Sequence, residues 1–209
     1  MRTPVSQIPG TMPLVADYFE NFENVAEFFN GNFRDTKLFS ERSDEVKSRD
    51  LPLGQLVPIL KEQNQRFGCG FQTLENIDVL LERRACAVVT GQQAGLFSGP
   101  LYTIYKALAT IKLAARLSRT CEGCFVPIFW VASDDHDFRE VNHVKILNKS
   151  NQISEINYNA HPLDAKIPVS AIQLGSEITN VLKQLNDETH PYEFKEAVLN
   201  RLSQAYDPK

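Results

Sequence analysis

The segment GQQAGLFSGPLYTIYK, Gly91 to Lys106, packs three glycines, two adjacent glutamines, a serine, a proline and a lysine into sixteen residues. Together these residue types can hold an anion. Glycine lets the backbone approach a ligand closely, and a helix opened by Pro100 turns its free N–H groups and positive dipole end toward negative charge. Ser98 stands where a helix cap belongs, and Gln92 and Gln93 can each donate and accept hydrogen bonds. Lys106 lies two turns into the helix, and its long stem can bring a cation back to the loop. The pattern is neither G-x-G-x-x-G nor a loop closed by Gly-Lys-Ser/Thr, so it does not by itself define a phosphate site. A tight strand-to-helix turn, with glycines serving backbone geometry alone, accounts for the same residues.

A second constellation is SDDHDF, Ser133 to Phe138. Charges at the end of a strand are costly to bury without partners. Acidic neighbours favour a proton on His136, which makes it a candidate acid or base near neutral pH. Asp135 or Asp137 could orient its imidazole by accepting from the other ring nitrogen. A solvated loop with capping aspartates is the plainer account. Metal binding by Asp135, His136, Asp137 and His143, as in a metal-dependent hydrolase, is an alternative, although no established ligand spacing is met.

Both constellations need a scaffold that aims them the same way. Ala85 to Thr90 is a short apolar run that suits a strand buried on both faces, and Phe125 to Ala132 is a second. Between them, Leu101, Ile104, Tyr105, Leu108 and Ile111 mark a helix from Pro100. Strand, helix and strand predict a βαβ unit with a parallel sheet, so both loops fall at the carboxyl ends of its strands, where ligands bind in such folds. Phe129 and Trp130 are expected in the core.

Residues 1–84 read as a helical amino-terminal segment, 85–160 as half of a Rossmann-like core, and 161–209 as the start of a connective helical segment. Within the first, residues 14–29 show one apolar helix face, Ser40 to Asp50 is a polar stretch, and Leu53 to Leu60 opens a helix ending near Gly68 and Gly70. Thr73 is the expected cap of a third helix. Downstream, residues 144–147 and 153–158 suit strands flanking a turn at 149–151, and helices are expected from Ser176 and Pro191. The last helix runs almost to Lys209, which suggests a fragment with an incomplete core.

The formal charge is −4, and residues 91–150 carry 7 basic and 5 acidic side chains. That is no nucleic-acid footprint, and it suits a small anionic substrate. Lys106 and Lys112 interrupt the one long apolar helix, so no membrane span is expected. The first ten residues lack the apolar run of a signal peptide, which points to a cytoplasmic protein with reduced cysteines. Cys121 and Cys124 resemble half a zinc knuckle without a second pair and read as loop thiols. His161 and His190, alone among polar residues, read as surface side chains.

VVTGQQAGLFSGPLYTIYKALA and VPIFWVASDDHDFREVNHV closely resemble the two most recognisable blocks of the bacillithiol-synthesis cysteine-adding enzymes, the BshC family. YFENFENVAEFF is similar to that family's amino-terminal helix, and ENIDVLLERRACAVVTG to its approach to the first strand. Ser98 stands where the family usually has Thr, and Asp134 where it usually has Glu. The resemblance implies a Rossmann-like core related to the nucleotidyltransferases, inserted connective segments, and a coiled coil that mediates homodimerisation. It also implies a ligase joining cysteine to glucosaminyl malate, in a family more than twice this length. Carried onto this sequence, it marks Gln92, Gln93, Ser98, Gly99, Pro100, Thr103 and Lys106 as substrate- or anion-binding, and Asp135, His136 and Asp137 as catalytic. ATP or ADP is a candidate cofactor, because related folds activate carboxylates with a nucleotide. A truncated paralogue that only binds a ligand is the non-enzymatic alternative.

Overall fold

The computed structural model describes residues 3–82, 85–159 and 167–206. The chain forms two compact units, Met1–Val88 with Leu113–Val126, and Val89–Lys112 with Pro127–Lys209. Strands β1 (Ala85–Gln93) and β2 (Cys124–Ala132) and helix α5 (Leu101–Thr120) each contribute residues to both units.

The first unit is led by helices α1 (Pro13–Glu20), α2 (Thr36–Ser48), α3 (Leu53–Arg66) and α4 (Phe71–Leu81). The single helix expected over 14–29 stops at Glu20 and gives way to two 3-10 turns, Phe22–Asn24 and Ala26–Phe28. The side-chain amides of Asn21 and Asn24 both donate to Asp17 Oδ1, at 3.2 and 3.1 Å, and wrap the chain around the end of α1. The bend brings Phe29 and Phe33 onto Tyr18, with ring centroids 4.7 and 4.8 Å away. Aromatic pairs of this kind add about 0.5–1.5 kcal/mol each beyond burial, enough to outweigh one more turn of helix.

The polar stretch from Ser40 lies within helix α2. Asp35 caps it by accepting from the Lys37 N–H at 2.9 Å, and Glu45 pairs with both Arg42 and Arg49 along its outer side. Its inner side sets Phe39 and Val46 against a cluster of Cys86, Ala114, Leu117 and Phe125. Gly68 takes the left-handed conformation (φ 69°) after α3. Gly70, not Thr73, is the cap residue of α4, which therefore begins at Phe71.

The second unit holds the carboxyl ends of β1 and β2, the start of α5, then α6 (Phe138–Val141), β3 (His143–Leu147), β4 (Ile153–Asn157), α7 (Glu177–Glu188) and α8 (Lys195–Ala205). Its core gathers Leu96, Phe138, Val141, Ile156, Tyr158, Ile178, Val181 and Leu185. β3 and β4 pair antiparallel with His143 opposite Asn157, and Asn151 (φ 57°) turns the chain between them as the sequence predicts. In α7, Ile178, Val181 and Leu185 recur at helical spacing and are buried. α8 begins at Lys195, four residues beyond the expected Pro191; the Lys195 ammonium meanwhile donates to the Asn186 and Thr189 carbonyls at 2.6 and 2.8 Å.

β1 and β2 form a parallel pair joined through α5. Gly91 lies beside Trp130, each the seventh residue of its strand, and a Cβ on Gly91 would stand 3.0 Å from the Trp130 carbonyl oxygen. β1 runs on to Gln93, so Gly91, Gln92 and Gln93 are strand residues rather than loop. The expectation of strands buried on both faces is corrected: Val89, Val131 and Trp130 are 60, 50 and 62% exposed. Among the described residues this sheet has two strands. His190 also departs from expectation, since it is half-buried with its Nε2 enclosed. The four cysteines are free thiols, and His161 lies outside the described residues.

Candidate functional site

β1 ends in two glutamines that point along a shared polar chain. The Lys106 ammonium reaches back from α5 and donates to Gln92 Oε1 at 2.8 Å and to the Gly91 carbonyl at 3.3 Å. Gln92 in turn donates to Gln93 Oε1 at 2.8 Å. The Gln93 amide then donates to Asp135 Oδ2 at 3.4 Å and to Glu140 Oε2 at 3.1 Å. A cation on one side and two carboxylates on the other are thus linked through two amides. The end of β1 and the loop after β2 open at one rim of the parallel pair.

The glycine turn is built by close backbone approach. A Cβ on Gly95 would lie 2.7 Å from Gly99 Cα, so no larger residue fits there without movement. Leu96–Ser98 form a 3-10 turn in which Phe97 (φ 51°) and Ser98 (φ 78°) take left-handed backbone, followed by Gly99 (φ 69°). Ser98 therefore belongs to this turn, and it is exposed. Helix α5 starts at Leu101 directly after Pro100, with Thr103 N–H donating to the Pro100 carbonyl at 2.9 Å. Thr103 Oγ1 is enclosed without a hydrogen-bond partner among the described residues, beside Gly99.

The loop after β2 is held by its own carboxylates and by a strap from later in the chain. Asp135 Oδ1 accepts the Asp137 N–H at 3.1 Å, and Asp137 caps α6 by accepting the Glu140 N–H at 3.2 Å. The Val169 and Ser170 N–H groups bond the Asp135 and Ser133 carbonyls at 2.8 and 2.9 Å. Asp135 is held below the usual carboxylate range, chiefly by the Asp137 N–H and then by the Gln93 amide. Its other neighbour is His136, whose Nδ1 stands 3.8 Å from Asp135 Oδ1: an ion-pair distance, beyond hydrogen-bond reach. His136 is 68% exposed, so its ring faces solvent at the rim. Asp137 caps α6 through its Oδ1.

The four residues of the metal reading are not gathered. His143 opens β3 with Nδ1 3.1 Å from the Arg139 carbonyl oxygen, and among the described residues no three His, Cys, Asp or Glu side chains converge as a metal site would require. Glu140 and Tyr102 were not singled out from the sequence, yet both join the polar chain. Tyr102 Oη lies 3.3 Å from Gln92 Nε2, and Lys106 stands over the Tyr102 ring at 5.2 Å. Glu140 had a legible signal: Asp137-x-x-Glu140 before an apolar residue is capping-box spacing, which fixes a glutamate at the start of a helix. Tyr102 and Lys106 sit at i and i+4, neighbours on one helix face.

A parallel strand–helix–strand segment with a glycine turn and an acidic His-containing loop at one rim is the arrangement of a Rossmann-like domain. The chain belongs to the family described as bacillithiol biosynthesis BshC, N-terminal Rossmann-like domain, whose sequence profile matches residues 1–209. It is 33% identical over 207 residues to the Salinibacter ruber protein named "Putative cysteine ligase BshC", covering 99% of this chain and 38% of that protein. A Chlorobaculum tepidum protein of the same name is 35% identical over 214 residues, covering all of this chain and 37% of that protein. One from Desulforamulus reducens is 42% identical over 139 residues, 65% of this chain and 25% of that protein. The chain therefore spans little more than a third of the length of these relatives.

Proposed function

We propose that the chain is the amino-terminal part of a ligase that adds L-cysteine to glucosaminyl malate in bacillithiol biosynthesis. In this reading the rim at the ends of β1 and β2 binds substrate. The observation that carries it is the Gln93 amide, which ties the end of β1 to Asp135 in the loop after β2 and to Glu140 in α6.

In the reaction, the sugar amine attacks the cysteine carboxyl carbon. The new C–N bond forms, the C–O bond breaks with its oxygen leaving as water overall, and the amine loses a proton. His136, exposed at the rim with an ionised carboxylate 3.8 Å from its Nδ1, takes that proton. The glycine turn and the start of α5, with Lys106 drawn back to the end of β1, hold an anionic group, for which the malyl carboxylates are the fitting class. A nucleotide, ATP or ADP, would supply carboxylate activation. However, Lys106 is already engaged with Gln92 and Gly91, and the turn lacks a phosphate-cradling pattern. The rim therefore suits a single anionic group better than a triphosphate, and no step here passes through a nucleotide. The coiled coil and homodimer implied for the family belong to the same proposal and to the intact protein. No described helix is long and apolar enough to cross a membrane.

The test is cysteine addition to glucosaminyl malate by the intact protein, followed by mass spectrometry of the product. Loss of a general base predicts a fall of about 10²-fold or more in kcat for His136→Ala, with the fold retained. Unchanged turnover would remove His136 from the chemistry. No turnover by the unsubstituted protein would favour a chain that binds a ligand without reacting it.

A further inference from the structure

The glycine turn is strained, and its restraint comes from the far end of the chain. Phe97, Ser98 and Gly99 are three consecutive residues at positive φ, and two of them carry a Cβ that disfavours this conformation. Such a turn persists only where its surroundings hold it. Gly99 N–H closes it locally on the Leu96 carbonyl at 2.9 Å, but the Phe97 N–H points elsewhere. It donates to the Tyr206 hydroxyl at 2.8 Å, across 109 residues of sequence. The two rings also meet edge to face, with centroids 5.1 Å apart and planes at 75°. Tyr206 is the C-cap residue of α8, and its N–H bonds the Leu202 carbonyl at 2.9 Å. Phe97 and Tyr206 both pack against the core of this unit around Leu96, Ile156 and Ile178. Burial raises the Tyr206 pKa, and the Phe97 N–H works against that rise, as a donor aimed at the phenol oxygen does.

We propose that Tyr206 is a positioning residue: by accepting from Phe97 it locks the left-handed turn that sets the start of α5 and the rim where a substrate carboxylate binds. The lock rests on the geometry above, whereas the carboxylate is taken from the proposed function. A hydroxyl on α8 thus sets the shape of a turn joining β1 to α5, and the core ties the two together.

The experiment compares the unsubstituted protein with Tyr206→Phe, which keeps the ring and removes the acceptor. Residue-resolved amide exchange is measured at Phe97 and Ser98, and L-malate, a probe for the malyl carboxylates, is titrated against both proteins. Slow exchange at Phe97 is expected in the unsubstituted protein, with a rise of roughly tenfold or more in Tyr206→Phe while exchange in β3 and β4 is unaffected. Malate should bind about tenfold more weakly to that variant. Free exchange at Phe97 in the unsubstituted protein, or equal exchange in both, overturns the lock. Faster exchange with undiminished malate binding overturns the positioning role. Faster exchange in a protein that never binds malate leaves the lock standing and removes the carboxylate reading. If Tyr206→Phe loosens the whole unit, Phe97→Leu decides. It keeps the N–H while trimming the ring contact and core packing, so its residue-97 amide must stay slower than in Tyr206→Phe, and exchange there as fast as in that variant refutes the hydrogen-bonded lock.

Discussion

Asp135 is the residue at which the end of β1 meets the loop after β2. It accepts the Asp137 N–H through one oxygen and the Gln93 amide through the other, and both bonds stabilise the ionised form. Its folded pKa therefore lies below the unfolded value. Asp135 thus contributes stability that is present above the ordinary aspartate range and is lost as pH falls through the lower, folded value. Gln93→Leu removes the second of the two causes. Carboxyl carbon titration by NMR should give an Asp135 midpoint below 3.8 in the unsubstituted protein and a partial return toward that value in Gln93→Leu. An identical midpoint in both proteins would mean that the amide does not reach the carboxylate. At this scale the sequence was informative about residue types and weaker about partners. Lys106 folds back to the end of β1, as its stem length suggests. Asp137 is spent on a helix cap, which adjacency to His136 concealed.

The glycine turn shows which features of an element are dictated by sterics. Gly95 and Gly99 touch backbone to backbone, so Gly95→Ala must push the turn apart, and overpacking of this kind costs about 1–3 kcal/mol. Gly54 lies in α3 with open space where a Cβ would go, and Gly54→Ala should stabilise by up to about 1 kcal/mol through helix propensity. Chemical denaturation midpoints moving in opposite directions would support this account. A neutral Gly95→Ala would contradict it. The βαβ order and the β3–β4 hairpin were legible because hydrophobic periodicity and turn residues agree there. The break after Glu20 was not, because the tertiary aromatic cluster on Tyr18 and the bonds to Asp17 override a correct helical period. Helix α2 was hidden by its polar outer side, and Phe39, the buried Ser43 and Val46 mark the face it turns to the core.

For the whole molecule, the arrangement of strands decides whether there is a site at all. The family membership and the parallel pair make the chain a Rossmann-like domain, and the apolar residues exposed on β1 and β2 explain why burial on both faces was the natural reading of their sequences. A run such as FVPIFWVA records that a strand suits a buried sheet, without recording which neighbours cover it here. The common rim is what remains: the end of β1 and the loop after β2, 42 residues apart at Gln93 and Asp135, meeting because parallel strands joined by a helix end on the same side. Nuclear Overhauser contacts from the Gln93 side-chain amide protons test this most directly. The account predicts cross-peaks to the Asp135 β-protons and the Glu140 γ-protons in the same sample. An amide that shows neither contact and exchanges with solvent at the rate of a free glutamine would contradict it.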